Sequence, residues 1–181
     1  MIDTIFNRRS VRTFTDQPIS QEDVHTILKA GMAGPTAVNR RDWSFLVVTD
    51  PHKLEEIADA KGPTAEPLRR AVLGIVVCGD LERALPACPE FWTVDAAIAC
   101  QNMLLAATEL GIGSVWLGVW PVQEFVQKEQ LLLELPETIV PHSILAFGYA
   151  AEQEQFSGRP PRPEWETDRV HYGVWQKTMP E

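Results

Sequence analysis

The sequence predicts a single α+β domain, and three observations lead there. Apolar runs of strand length at residues 43–48, 72–78, 114–117 and 143–147 alternate with stretches of helical spacing. The alternation is too irregular for a doubly wound sheet, so a mixed sheet with helices packed around it fits better. Residues 93–110 are apolar on nearly every side, as in a helix buried in a core or a subunit interface.

Taken in order, Ile2, Ile5 and Phe6 form a short helical spacing that runs into a basic cluster. Ser20, with Asp23 three residues on, has the form of a capping box, and the acid also suits the positive end of a helix. Val24, Ile27, Leu28 and Met32 carry that helix to its stop at Gly34-Pro35. Residues 43–48 read as a buried strand closed by Asp50-Pro51, and Leu54, Ile57 and Ala58 mark a short helix after it. A second strand at 72–78 precedes the apolar helix, which Gly111 ends. The third strand is followed by a helix over 125–135, then by the fourth strand closing at Gly148-Tyr149. Pro160, Pro161 and Pro163 predict an extended C-terminal arm from about residue 156 within a domain spanning 1–181.

The composition narrows the function. A 181-residue chain with 45% hydrophobic and 23% charged residues has the makeup of a soluble globular domain. Its net charge of -9 argues against nucleic-acid binding, which needs a broad basic face. No apolar run approaches the roughly 20 residues that span a bilayer. Residues 1–12 show no signal-peptide core. The three cysteines form no CxxC motif, which fits free thiols and a cytoplasmic protein. His25, His52, His142 and His171 are too scattered for a metal-ligand pair. Gly111-Ile112-Gly113-Ser114 fails as a dinucleotide fingerprint, because a helix precedes it, a strand follows and Trp116 stands where another glycine is needed.

Against that acidic background, Arg8, Arg9, Ser10 and Arg12 stand within five residues. Guanidinium groups hold phosphate through paired hydrogen bonds and keep their charge. The same cluster also suits a solvated helix C-terminus, where cations favour the dipole. On composition alone the two readings are equal.

The segment Arg8-Arg9-Ser10-Val11-Arg12-Thr13-Phe14 resembles the opening motif of the nitroreductase family of FMN-dependent oxidoreductases. Gly34 to Trp43, with Pro35, Thr36, Ala37 and Asn39, resembles its second signature, although Thr36 replaces the usual Ser and Arg41-Asp42 the usual Gln-Pro. Gly111 to Gly118 resembles the third signature, Ile144 to Tyr149 the closing strand, and Val170-His171-Tyr172 the tail. These motifs follow in the family's order along nearly the whole chain. Residues 60–91 match nothing specific.

The resemblance implies a mainly antiparallel central sheet surrounded by helices, and a homodimer with FMN at the subunit interface. It implies that Arg8, Ser10 and Arg12 hold the phosphate and ribityl region, with Arg9 contributing through its backbone. Arg159 and Arg162 would return from the tail to the phosphate. Pro35, Thr36, Ala37 and Asn39 would approach from the other subunit, and Leu117 and Gly118 would face the flavin ring. No catalytic side chain is implied. NADH or NADPH would reduce the flavin, and a nitroaromatic, quinone or similar small electron acceptor would reoxidise it from the same pocket. The alternatives are a reductive dehalogenase or flavin-consuming relative, and an FMN-storing protein whose pocket is blocked, with Trp116 the bulky candidate. Phe91 and Trp92 read either as a substrate lid or as a packed helix start.

Overall fold

The structure is a computed structural model that describes residues 2–152 and 166–175. Helices α1 (Ile2–Asn7) and α2 (Gln21–Met32) lead to strand β1 (Trp43–Val48). Helix α3 (Pro51–Lys61), a 3-10 stretch (Pro63–Arg70), β2 (Leu73–Asp80) and the long α4 (Phe91–Glu109) follow. Strand β3 (Gly113–Gly118), helix α5 (Gln123–Leu132) and β4 (Ile139–Gly148) complete the body.

The four strands lie in the order β1-β2-β4-β3, and every neighbouring pair is antiparallel. The α+β expectation therefore holds, and the only parallel pairing among the described residues is an isolated bridge from Ser10 to Ser114. β2 is buried at every position but its last, and Ile144 to Phe147 of β4 are fully enclosed. Such continuous apolar runs belong to central strands covered on both faces. α4 crosses all four strands and carries α2 on its back, while α5 packs on β4 and α3 packs on α5.

Local chemistry sets the element ends. The Ser20 hydroxyl accepts the Asp23 N–H at 3.1 Å, as the capping box predicts. Asp50 accepts the His52 N–H at 3.0 Å, with Pro51 in the first turn of α3. α4 begins two residues before the expected start, and Trp92 is packed in its first turn, 5% exposed, with its ring against Gly79. That excludes Trp92 from a substrate lid. β4 starts four residues before the expected start because Pro141 falls where the ladder is already irregular, between Val77 and Cys78 of β2. His142 is the extra residue there, and its carbonyl accepts the N–H groups of Val119 and Trp120, both at 3.0 Å.

α4 is apolar all round, yet only one side is covered within the chain: Ala96, Ala99, Met103 and Leu104 are buried while Val94 is 49% exposed. All three cysteines are free. Burial pushes the thiols of Cys78 and Cys100 up to about 12, so both behave as small apolar side chains. None of the described helices is long and apolar enough to cross a membrane.

A Cβ on Gly79 would lie 2.2 Å from the Trp92 ring, and the ring is wedged between helix and sheet. Gly79→Ala is expected to cost about 1–3 kcal/mol through overpacking, read as a lower unfolding midpoint in urea.

Candidate functional site

The arginine cluster begins as a helix end and becomes a strand-edge segment. The Arg8 N–H closes the last turn of α1 on the Thr4 carbonyl at 2.9 Å. The Arg9 guanidinium donates to the carbonyls of Phe6 and Arg8, at 2.5 and 3.0 Å, so this side chain caps the helix. Beyond it the chain extends along the outer edge of β3. Ser10 bridges to Ser114, and the Val11 N–H donates to the Ser114 carbonyl at 2.9 Å. A Cβ at Gly113 would meet the Val11 side chain at 2.9 Å, so a glycine is what allows this approach. The same segment continues past β4, where Thr15 and Ala151 exchange backbone hydrogen bonds with Tyr149 and Thr13 at 2.8 and 3.0 Å.

This pairing sets Arg12 at the lip of a cleft of about 750 Å³ whose floor is Val115, Trp116, Leu117 and Gly118. A Cβ on Gly118 would touch nothing within 4 Å, so the floor is open there. Trp116 is half-buried, edge-on to the His142 ring at 6.1 Å, and leaves the cleft unfilled. The facing wall comes from the segment that sequence reasoning left unassigned. It carries Lys61, Thr64, Glu66 and Arg70, with Phe125 from α5. Three cations thus line the cleft against one acid, in a protein of net charge -9. The available signal was the break at Gly62-Pro63, which ends α3 on a basic residue and starts the 3-10 stretch.

Lys61 is only 5% exposed, its ammonium lies 4.1 Å from the centre of the Phe125 ring, and burial lowers its pKa. Behind it Glu129 is fully buried, with neither carboxylate oxygen hydrogen-bonded among the described residues. Burial pushes this carboxyl up to about 7, partly opposed by the charge of Lys61. His142 is held neutral, its pKa pulled down to about 4 by burial. No group of three or more His, Cys, Asp or Glu side chains gathers to hold a metal among the described residues.

Pro35, Thr36 and Ala37 line a different cavity, of about 370 Å³, together with Phe91, Val94 and Asp95. Within one chain they do not share the cleft of Arg12, Leu117 and Gly118. Phe91, 43% exposed, lies at this second cavity. The loop that follows is strained: Val38, Asn39 and Arg41 all have positive φ, at 50°, 57° and 52°. Such backbone costs about 1 kcal/mol or more per residue and persists only where neighbours hold it. The Thr36 hydroxyl accepts the Arg41 N–H at 3.0 Å, and the Asn39 side-chain oxygen accepts from the Arg41 guanidinium at 3.1 Å. From the helix side, both Asp95 carboxylate oxygens accept the Ala37 N–H, at 3.1 and 2.9 Å. Arg40 donates to the carbonyls of Arg83 and Ala84, while Asp42 is wholly buried. Asp95 was not singled out from sequence, since an acid within an apolar helix carries no pattern, and Asp42 stood out only as a departure from the second signature. Arg159 and Arg162 lie outside the described residues.

Comparison with known proteins identifies the family. The chain matches the Nitroreductase family over residues 5–73 and 64–149, and it belongs to that family. It is 40% identical over 172 residues to an Archaeoglobus fulgidus protein named as an NADH dehydrogenase/NAD(P)H nitroreductase, covering 94% of this chain and 96% of the relative. It superimposes on the FMN-dependent nitroreductase of Clostridium difficile with a TM-score of 0.85 at 28% identity, covering 97% and 100% of the two chains. A Desulfovibrio desulfuricans nitroreductase solved in complex with FMN matches with a TM-score of 0.72 at 32% identity, covering 88% and 91%.

Because the pKa of Glu129 is raised from 4.5 to about 7 on folding, its contribution to stability is full below 4.5 and is lost as the pH rises towards 7. Denaturant titrations at pH 4.5 to 8 are expected to show Glu129→Gln gaining on the parent protein across that window. Parallel pH profiles for the two would contradict this.

Proposed function

We propose that this protein is an FMN-dependent NAD(P)H oxidoreductase whose flavin lies between two copies of the chain and whose acceptor is a small electrophile, such as a nitroaromatic or a quinone. The observation that carries the reading is the division of the signature residues. One chain offers a cationic cleft over β3 at one place and the Pro35–Asn39 loop at another, as expected of a site completed by a second copy. The exposed side of α4 supplies apolar surface for that association.

The residues present fit FMN. The phosphate carries nearly two negative charges and needs converging cations; Arg12 lines the cleft, and Arg8 and Ser10, which do not line it within one chain, would join it there. Arg9, with its guanidinium on the end of α1, contributes backbone only. Arg159 and Arg162 would add to the phosphate from the tail. The open floor at Gly118 admits a flat ring against the backbone of Leu117 and Gly118. Lys61 and Arg70 give the cleft a positive wall that favours electron-rich, reduced cofactor. Pro35, Thr36, Ala37 and Asn39 of the second copy would close the site.

FMN held by these residues would supply hydride transfer from NADH or NADPH to the acceptor. The protein's part is binding, orientation and control of water, so no catalytic side chain is assigned. Trp116, Phe125 and the 3-10 stretch shape one cleft that reductant and acceptor would occupy in turn, which makes the kinetics ping-pong. The cleft's open volume beside Trp116 argues against a storage protein with a blocked pocket.

Purified protein is expected to be yellow. Arg8→Ala and Arg12→Ala should each weaken FMN binding about tenfold to a hundredfold, the loss of one charge-assisted contact of about 1.5–3 kcal/mol. Under anaerobic conditions NADH or NADPH should bleach the visible absorption, and a nitroaromatic or quinone should restore it. Steady-state double-reciprocal plots should be parallel. Protein that takes up no added FMN would overturn the assignment, and flavin that no nicotinamide bleaches would leave only a binding role.

A further inference from the structure

We propose that Asp95 is a positioning residue for the flavin-facing loop, holding the Ala37 N–H from α4 above the buried Asp42 carboxyl. The proposal rests on the reading that Pro35 to Asn39 face FMN.

Asp95 is 3% exposed in the most apolar helix of the fold. A buried carboxylate is costly unless hydrogen bonds or a cation offset it. Asp95 turns both oxygens to one backbone N–H, that of Ala37, in the middle of the proposed flavin-facing residues. The three positive-φ residues follow directly, so this contact anchors the entry to the strained turn.

Asp42 closes the same loop where β1 begins. It is 0% exposed, and neither oxygen has a hydrogen-bond donor of good geometry among the described residues. Burial first, and then the facing Asp95 carboxyl, raise its pKa from 3.8 to about 6. The charged groups around it are few. Arg40 lowers its pKa from within the loop, but that guanidinium donates to the carbonyls of Arg83 and Ala84. Arg83 in turn pairs with Asp80 at 3.6 Å and reaches the Arg41 carbonyl at 3.5 Å. With those cations directed elsewhere, protonation of Asp42 is what lets it stay buried. Below about pH 6 Asp42 is protonated, and above it a buried negative charge stands beneath the loop.

The test is FMN affinity of the full chain by fluorescence titration from pH 5 to 8. The parent protein is compared with Asp95→Ala, Asp95→Asn and Asp42→Asn. Asp95→Ala should weaken binding by about tenfold or more, as for an acceptor lost from a buried N–H. Asp95→Asn keeps one acceptor oxygen and should stay within about threefold of the parent. The dissociation-constant ratio of parent to Asp42→Asn should rise as the pH passes 6, because only the parent ionises there. The phosphate of FMN also titrates near 6, and it cancels in that ratio. A purely structural role would lower the unfolding midpoint without moving the ratio with pH. Asp95→Ala binding FMN like the parent, or a ratio constant across pH, would overturn the proposal while leaving the FMN site intact. If Asp95→Ala does not fold, the Asp42→Asn ratio decides alone. A parent protein that takes up no FMN at any pH would instead sink the cofactor reading, and this inference with it.

Discussion

One backbone contact decides where the charges of this protein lie. By donating the Val11 N–H to Ser114, the chain leaves α1 as an extra, parallel segment on the edge of β3. β3 is an edge strand because β4 pairs with it on one side only, so its outer rim would otherwise expose unpaired backbone groups. Covering the rim at Ser114 and leaving it open towards Gly118 produces a covered end carrying Arg12 and an open end facing the cleft. The glycine at 113 permits the approach, and the irregularity at Pro141 and His142 anchors the turn beyond β3 through Val119 and Trp120. The position of the cleft thus follows from sheet geometry rather than from the arginines themselves.

The basic cluster divides between a helix end and a cleft. Arg9 is a helix-end cation, while Arg12 turns to the cleft. Spacing could not separate them, since the division depends on where α1 stops. Strands of continuous apolar residues were legible because burial on both faces leaves no other composition. The capping box at Ser20 was legible because it is a local hydrogen-bond pattern. The wall opposite β3 was not, because a 3-10 stretch containing Pro63 and Pro67 has neither the helical nor the strand period. Lys61 and Glu129 are 68 positions apart by residue number (129 − 61), and only packing makes them neighbours. Buried acids are illegible for a general reason: their meaning lies in what surrounds them, and Asp95 reads as an ordinary break in an apolar helix until Ala37 is seen against it.

Three buried acids, Asp42, Asp95 and Glu129, sit close to the residues assigned to cofactor and substrate. Burial raises the pKa of two of them, towards about 6 and about 7. A fold selected for stability alone would replace such groups by apolar ones of similar size. Their retention beside the loop and the cationic wall fits a site whose geometry and charge are set together. The strained backbone at Val38, Asn39 and Arg41 has the same character, since it is held by contacts from α4 and from within the loop.

The central claim is that the site is completed across two chains, with arginines from one and the Pro35–Asn39 loop from the other. Subunit mixing tests it most directly. An Arg12→Ala chain and an Asp95→Ala chain, each defective in FMN binding, would be unfolded together, refolded as a mixture, and titrated with FMN. In a mixed pair one site collects both substitutions and the other collects neither. The account therefore predicts that parent-like affinity returns in one site per mixed dimer. If each chain builds its site alone, mixing restores no high-affinity FMN binding, and the cross-chain account is wrong.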